Sequence, residues 1–563
     1  MTTWQVAAAA VLSLGWLLPN HSEPWTTFHA DALLACVLFV LTVASWSKFK
    51  APQPWSYLAI LLACLCSIPI LQLSFGLVKF AGTGWTGSAY LLGFLLAVLT
   101  GARWESAKPN ALLDILFLAI GLAASVSVGL QLCQWVRLND GCLCNGQWVN
   151  IPSTVSRFSA NMGQPNQLAS LLIWGVLAYG WAWHRRVLSA NVATLGAVFL
   201  LFGLALTESR TGALELCVLV VCSWVWRGLW QTSALPNLMV CLAVSYLAFL
   251  WLLPTFSAAL LLDYTSTVAA RTHYESRFDI WAMFIDAVFK RPWFGYGWDQ
   301  GRYAQVLLTT DFPRNFIGKG MFSAHSHNLF LDLVVWLGIP LGLGLSATLL
   351  YWLAGALAAV KASDSAIPML LVLTAAVHAT LELPLHHAYF LLPFGLVVGV
   401  LDIKLKARKI FTTGLTTAVP LFIVAGVLLG LIIKDYFAVE ESFNELRLER
   451  ARIVTTMPRP PPEVVLLTQL RDFIILARTE PSFPTIPEKL QWIENTALIY
   501  PIPHHMVKLA AAFALNDQAA EAQVWMSRIC IVATPEGCTF AKSYWAGLQE
   551  KFDAIKSVPW PKE

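Results

Sequence analysis

Long apolar runs constrain this chain more than any other feature. Hydrophobic residues stand in stretches of roughly 16 to 25 residues, the length of helix that crosses a bilayer core of about 30 Å. Of the 563 residues, 57% are hydrophobic and only 12% are charged, so the charge that a water-soluble surface needs is missing. The sequence therefore predicts an integral membrane protein, and it excludes a cytosolic globular enzyme, a disordered chain and a nucleic-acid binder.

Hydropathy predicts an all-α polytopic fold with about thirteen transmembrane helices, within a range of about 11 to 14. The candidate spans begin near Gln5, Ala30, Trp55, Gly87, Leu112, Leu168, Ala190, Ala213, Leu235, Leu329, Ala366, His387 and Thr413. No Lys or Arg precedes the first span and no small-residue cleavage site follows it, so we expect a retained helix there.

Positive charge orients these spans. Short loops that are rich in Lys and Arg stay in the cytoplasm. Alternate loops of this chain carry such residues: Lys48 and Lys50, Arg103 and Lys108, Arg185 and Arg186, Arg227, Lys361, and the group from Lys404 to Lys409. The long loops 136–167 and 255–326, and everything after Lys434, then lie on the other side. Most polar residues that could take part in a reaction lie on that side, so we expect the reaction to take place outside the cytoplasm.

The chain divides into a membrane part, residues 1–434, and a soluble helical domain, residues 435–563. Within the second, Val507–Ile529 is typical of a helix hairpin with a break at Asn516–Asp517. An oxidising compartment permits a disulfide, and we expect one between Cys530 and Cys538. Cys142 and Cys144 in the first long loop suit either a disulfide or, less well, a zinc site, because no His lies nearby.

Two arginines on the outer side could hold an anion. Arg210, in the sequence Glu208–Gly212, offers a planar guanidinium that suits phosphate, although it could also be a helix-end Arg paired with Glu208. Arg277 precedes a stretch with helical periodicity up to Phe289, and a helix N-terminus favours an anion as well. Gly295 and Gly297 predict a tight turn farther along the same loop.

Two histidines, His325 and His327, directly precede an apolar span. A histidine at this position could act as a general base, with Asn328 fixing its tautomer, or simply cap the span. Earlier in the chain, Gln164, Asn166 and Gln167 flank Pro165 at the start of a span. Their amides suit hydrogen bonds to a sugar or phosphate, and they suit a helix N-terminus equally well.

No nucleotide-binding or metal-binding pattern is present: we find no P-loop, no dinucleotide glycine pattern after a strand, and no Asp-x-Asp pair. We expect no cofactor and no metal ion. A donor that reacts outside the cytoplasm must then arrive already activated, most simply on a lipid.

Five motifs in order resemble the O-antigen ligase superfamily, and most closely the bacterial protein O-oligosaccharyltransferases of the PglL type. They are Gly163–Ala169, Glu208–Gly212, Arg277 with Arg291–Gly297, His325–Leu331 with Gly338–Ile339, and Glu382–Leu391. Together they cover most of residues 150–400. The Gln-Pro-Asn-Gln stretch and the extra outer domain favour the protein-glycosylating branch.

The resemblance implies transfer of a glycan from undecaprenyl pyrophosphate to an acceptor hydroxyl in the periplasm. It places the enzyme in the bacterial cell inner membrane, with a Ser or Thr of an exported protein such as pilin as acceptor. Glu382, His387 and Tyr389 join the three amide residues as candidates for binding the glycan or the acceptor. The family often has Tyr where this chain has His387, so that role falls to His387 or Tyr389, or is absent.

The expected mechanism is one-step transfer with inversion at the anomeric carbon. His327 takes the proton of the acceptor hydroxyl, with His325 as the reserve candidate, and Arg210 and Arg277 hold the pyrophosphate. Two alternatives stay open: a ligase or polymerase with a sugar acceptor, and a transporter of the lipid-linked glycan. The outer domain suits docking of a protein acceptor, or a scaffold that stabilises the last span.

Overall fold

The structure is a computed structural model, and it describes residues 2–49, 52–136, 148–151, 156–262, 264, 276–309, 323–453, 460–482 and 486–561. Cys142 and Cys144 lie outside these residues, so the prediction for that pair is not addressed. Helices dominate the described chain. Its two short strands, β1 (Gln53–Ser56) and β2 (Lys409–Thr413), pair antiparallel with Gln53 opposite Thr413.

The helices up to residue 262 are α1 (Thr3–Leu17), α2 (Phe28–Lys48), α3 (Tyr57–Ser74), α4 (Ala81–Ala107), α5 (Ala111–Trp135), α6 (Pro165–His184), α7 (Ala190–Thr207), α8 (Arg210–Val225) and α9 (Leu235–Ala259). Those that follow are α10 (Ser276–Lys290), α11 (Gly301–Leu308), α12 (Leu329–Ala359), α13 (Ser363–Ala379), α14 (Ala388–Lys404), α15 (Leu415–Arg450), α16 (Thr468–Arg478), α17 (Pro487–Ile499), α18 (Pro503–Leu515), α19 (Ala519–Val532), α20 (Pro535–Lys551) and α21 (Asp553–Lys556).

The apolar segments of the sequence all fold as helices. Each candidate span coincides with one of α1–α9 or α12–α15, which confirms the mostly helical fold. Within the described chain, eight helices are long and apolar enough to cross a bilayer, namely α2, α3, α4, α5, α7, α9, α12 and α15. The chain is therefore a multi-pass membrane protein, and the total of about thirteen crossings stays a prediction.

The described chain forms two compact units. The first comprises residues 1–64, 90–273 and 349–429, and the second comprises 65–89, 274–348 and 430–563. In the first unit α6 is central, because it packs against α5, α7, α8 and α13. Its residues from Leu168 to Trp174 are almost completely buried, as an apolar helix with neighbours on every side requires.

The second unit contains the helical domain at the C-terminus. Helices α18 and α19 pack as a hairpin around Asp517, whose φ is +58°, as the Asn516–Asp517 break predicted. The disulfide between Cys530 and Cys538 is present and joins α19 to the first turn of α20, which confirms that pairing. The domain boundary at residue 434 stays a prediction.

Backbone contacts fix the loop 291–297 against α12. The φ of Gly338 is +79°, which kinks α12, and a Cβ there would lie 2.4 Å from the carbonyl oxygen of Trp293. The backbone N–H of Tyr296 donates to the carbonyl of Val335, and that of Ile339 donates to Pro292. Gly295 and Gly297 both have positive φ, which confirms the predicted turn.

Candidate active site

The Gln164–Gln167 stretch begins α6. Pro165 is the first helical residue, and the side chain of Gln164 accepts a 2.7 Å hydrogen bond from the backbone N–H of Gln167. Gln164 therefore caps the helix, which is the structural alternative that the sequence left open. The cap leaves Asn166 and Gln167 in the first turn, with both side chains buried against other motifs.

Asn166 joins three of the motifs. Its amide Nδ2 donates to Oε1 of Glu382 at 3.1 Å, and its Oδ1 accepts from the hydroxyl of Ser209 at 2.8 Å. Ser209 in turn caps α8, because its Oγ accepts from the backbone N–H of Gly212 at 3.0 Å. One buried amide thus holds the starts of α6 and α8 and the turn that carries Glu382.

Gln167 and Tyr389 form a second link between motifs. The hydroxyl of Tyr389 donates to Oε1 of Gln167 at 2.6 Å, and His387 stacks on the Tyr389 ring with centroids 5.1 Å apart. His387 directly precedes α14. Its stacking on Tyr389 favours a packing or hydrogen-bonding role for His387.

Arg210 is the first residue of α8, and its side chain is exposed. The cap residue Ser209 precedes it, so the guanidinium projects from a helix N-terminus, where the positive end of the helix dipole favours an anion. The neighbouring Glu208 accepts a short hydrogen bond from the hydroxyl of Tyr264.

Arg277 lies in the first turn of α10, in the second unit. The helix runs from Ser276 to Lys290, which confirms the predicted periodicity. Its residues Phe284 and Ala287 are fully buried, as the apolar face required. Arg277 itself is half-buried, and like Arg210 it stands at a helix N-terminus that favours an anion.

The histidines His325 and His327 lie in the loop directly before α12. The backbone of His327 is left-handed, with a φ of +57°, a conformation that costs about 1 kcal/mol or more outside glycine and is concentrated at functional sites. Ser326 between them is buried, and its N–H donates to Asp332 Oδ1 at 2.7 Å. Both imidazoles are partly exposed.

Asn328 caps the helix that follows it, and its effect on a histidine tautomer stays a prediction. Its Oδ1 accepts from the backbone N–H groups of Phe330 and Leu331 at 3.0 and 3.1 Å, and so caps α12. His325 instead faces an acid that the sequence did not single out: its Nε2 lies 3.6 Å from Oδ1 of Asp299. Sequence gave no signal for this pair, because Asp299 stands in a loop like many other acids.

The two units divide the predicted residues between them. The first unit brings together Asn166, Gln167, Glu382, His387 and Tyr389, and it also carries Gln164 and Arg210. The second unit carries Arg277, His325 and His327.

The first unit contains a buried polar cluster that was not predicted from the sequence. Ser170 of α6 donates a short hydrogen bond to Glu215 of α8, and its Oγ lies 2.6 Å from Nδ1 of His378 of α13. All three side chains are almost completely buried. Glu215 and His378 stand inside apolar segments, and this could have indicated the cluster, because an acid or a histidine at membrane depth needs a partner.

A second missed acid, Asp31, lies beside the Gln167–Tyr389 link. It accepts hydrogen bonds from Trp25 Nε1, Thr27 Oγ1 and the Tyr90 hydroxyl at 3.2, 2.8 and 3.1 Å. The backbone N–H of Tyr389 also donates to it, at 3.3 Å. Asp31 thereby fixes the first turn of α14, where Tyr389 stands.

Comparison with known proteins agrees with the motifs. Residues 195–346 match the family described as O-antigen ligase, and residues 367–532 match the C-terminal part of the virulence factor membrane-bound polymerase family. A general O-oligosaccharyltransferase of Acinetobacter baylyi is 27% identical over 537 residues, 92% of this chain and 90% of its own length. A ComP-specific O-oligosaccharyltransferase of the same organism is 24% identical over 400 residues, 70% of each chain.

The apolar helices define a multi-pass membrane protein, and the matched region is similar to the O-antigen ligase family. The similarity to two O-oligosaccharyltransferases, over 92% and 70% of the chain, supports a likeness to the bacterial protein O-oligosaccharyltransferases of the PglL type. The resemblance drawn from the five motifs is thereby confirmed.

Proposed function

We propose that this protein is a glycosyltransferase that moves a glycan from undecaprenyl pyrophosphate to a Ser or Thr hydroxyl of an exported protein, such as pilin. The reaction takes place at the periplasmic face of the inner membrane. The observation that carries the proposal is the similarity to two O-oligosaccharyltransferases over 70% or more of the chain. The helix-terminal arginines and the histidines before α12 supply the chemistry that this reaction needs.

The reaction inverts the anomeric carbon in one step. The acceptor oxygen attacks that carbon, its proton passes to His327, and the bond from the carbon to the phosphate oxygen breaks. The electron pair of that bond leaves with the undecaprenyl pyrophosphate. A neutral hydroxyl is a poor nucleophile, so a base at His327 lowers the barrier as the new bond forms.

The leaving pyrophosphate gains negative charge in the transition state. Arg210 and Arg277 neutralise this charge, and the helix N-termini from which they project add partial positive charge. Bidentate contact between a guanidinium and two phosphate oxygens fixes the donor as well as stabilising it. No step requires a metal ion or a nucleotide.

The polar residues at the start of α6 and after α13 position the glycan or the acceptor. Gln164, Asn166 and Gln167 lie at the start of α6, and Glu382, His387 and Tyr389 follow α13 in the chain. Amide, carboxylate and aromatic groups held by mutual hydrogen bonds are preorganised for hydroxyl groups. We assign binding of substrate, rather than proton transfer, to this group.

The deciding experiment uses purified protein in detergent with a lipid-linked glycan donor. One reaction contains an exported protein with Ser-rich and Thr-rich segments, and a parallel one contains a lipid-linked sugar acceptor. We expect glycan on the protein, read by intact mass. Transfer to the sugar acceptor alone would favour a ligase or polymerase. Absence of transfer to either, with glycan translocation across vesicles, would make the protein a transporter.

A further inference from the structure

Helix α11 lies directly against the segment that carries the two histidines. The buried side chain of Gln305 accepts a 2.9 Å hydrogen bond from the backbone N–H of Ser323, at the start of that segment. At the beginning of α11, a Cβ on Gly301 would lie 1.9 Å from the carbonyl oxygen of Ala324. Only glycine permits so close an approach, so the helix backbone holds the residue before His325.

The start of the same helix also lies next to the Asp299–His325 pair. Asp299 stands two residues before α11, has a φ of +58°, and brings Oδ1 to 3.6 Å from Nε2 of His325. The segment 323–328 forms no helix or strand of its own. Its left-handed residue His327 therefore depends on neighbouring elements to hold it, because a strained backbone persists only where the surroundings over-determine it.

Helix α11 is held in turn by the C-terminal helical domain. It packs against α17 of that domain. The ammonium of Lys79 lies 5.4 Å from the centre of the Tyr303 ring of α11, and its charge also opposes the rise that burial causes in the pKa of Glu494 of α17. Lys79 thus faces both helices.

Charged residues next to α11 affect Tyr500, which directly follows α17. Loss of water contact raises the pKa of the Tyr500 hydroxyl, the charge of Arg302 opposes the rise, and that of Asp299 adds to it. Asp299 is the acid that faces His325. The charges of Arg302 and Asp299 thus act on a side chain of the helical domain.

We propose, on the basis of the function proposed above, that Gln305 is a positioning residue for the transfer reaction and that the domain 435–563 holds α11 in place for this purpose. The chain of contacts runs from α17 to α11, from Gln305 to Ser323, and so to His325 and His327. A displacement of about 1 Å in a reacting group costs about a hundredfold in rate, so loss of this support appears in turnover.

The test compares Gln305→Met, which keeps the side-chain size but loses the accepting oxygen, with Gln491→Met, an exposed glutamine of α17. For Gln305→Met we expect kcat to fall about 10- to 100-fold, while KM for donor and for a short acceptor peptide changes less than about threefold. Gln305→Glu keeps an accepting oxygen at the same reach, so it should lose less turnover than Gln305→Met. The control variant retains wild-type kinetics.

A second readout does not depend on the reaction. Hydrogen–deuterium exchange should rise at 323–328 in purified Gln305→Met and stay unchanged in α6. Lys79→Met, a change outside the buried core, should raise exchange in α11 and in 323–328 with a smaller fall in kcat. Unchanged exchange in both variants would overturn the positioning role, and so would a raised KM for protein acceptor with kcat intact, which is the signature of docking. A wild-type protein with no transferase activity would refute the proposed function. The exchange result would still show whether Gln305 and the helical domain hold the segment 323–328.

Discussion

The hydroxyl of Tyr389 lies 2.6 Å from Oε1 of Gln167, although the two residues are 222 positions apart in the chain. Each belongs to a different motif, and the hydrogen bond is buried. It ties the first turn of α6 to the first turn of α14. The candidate substrate-binding residues are thus held by each other before any substrate arrives, as preorganisation requires.

Tyr389→Phe should destabilise the protein by about 1–2 kcal/mol, because the substitution leaves Oε1 of Gln167 buried without this donor. Tyr351→Phe is the matched control, since its side chain is 82% exposed on α12. Thermal unfolding in detergent measures the difference. Equal melting temperatures for the two variants would mean that the hydrogen bond contributes nothing.

Arg210→Ala should reduce kcat/KM by about 30- to 1,000-fold, equivalent to about 2–4 kcal/mol of lost transition-state stabilisation. Arg227 follows the other end of α8 and is also exposed, so Arg227→Ala is the control at similar charge change. Steady-state transfer assays with the purified lipid donor give the ratio. A loss of similar size in both variants would assign the effect to net charge rather than to the pyrophosphate.

Most of the helical architecture follows from the sequence, because hydropathy and helix signals act over short distances. Pro165 predicted the start of α6, and the helical periodicity up to Phe289 predicted α10. The Cys530–Cys538 pair followed from compartment and proximity. Each of these inferences needs only residues that are near neighbours in the chain.

The polar contacts between distant segments could not be predicted in this way. Ser170 and His378 are 208 positions apart, and a hydropathy window averages each of them into its apolar surroundings. Nor could the sequence assign Gln305 to Ser323, since glutamine on an amphipathic helix is usually a surface residue. Such contacts depend on which helices pack together, and that is decided by the whole fold.

The Ser170–Glu215–His378 cluster should behave as one structural unit. Ser170→Ala and Glu215→Leu should each cost about 1–3 kcal/mol, because each leaves a buried polar partner without its hydrogen bond. The double variant should cost less than the sum of the two, since both remove the same interaction. Thermal or denaturant unfolding of the four proteins gives the coupling. Strict additivity would contradict a shared network.

The helical domain should lose stability in acid. Burial lowers the pKa of His504 to about 4 and that of His505 to about 3, and the charge of Lys508 lowers both further. In the unfolded chain each histidine binds its proton near pH 6.5, so the unfolded state takes up protons first as the pH falls. The contribution of these two histidines to the stability of the domain is fully present above about pH 6.5. It is lost progressively as the pH falls toward about pH 3–4.

Hydrogen–deuterium exchange of residues 503–515, measured from about pH 7.5 to about pH 5 and corrected for the intrinsic rate, follows this loss. His505→Asn should flatten part of the dependence, whereas His21→Asn, at an exposed histidine, should leave it unchanged. A wild-type domain whose protection does not vary with pH would contradict buried neutral histidines.

The most direct measurement of the proposed mechanism is transfer by His327→Ala and His325→Ala, assayed separately with purified lipid-linked glycan and a Ser-containing acceptor, with His184→Ala as control at the far end of α6. Intact mass of the acceptor reports the product. We expect His327→Ala to lower transfer about 100- to 10,000-fold, as loss of a general base does. His325→Ala should retain more activity, and the control should match wild type. Transfer that survives in His327→Ala and disappears in His325→Ala would contradict the assignment of His327 as the base.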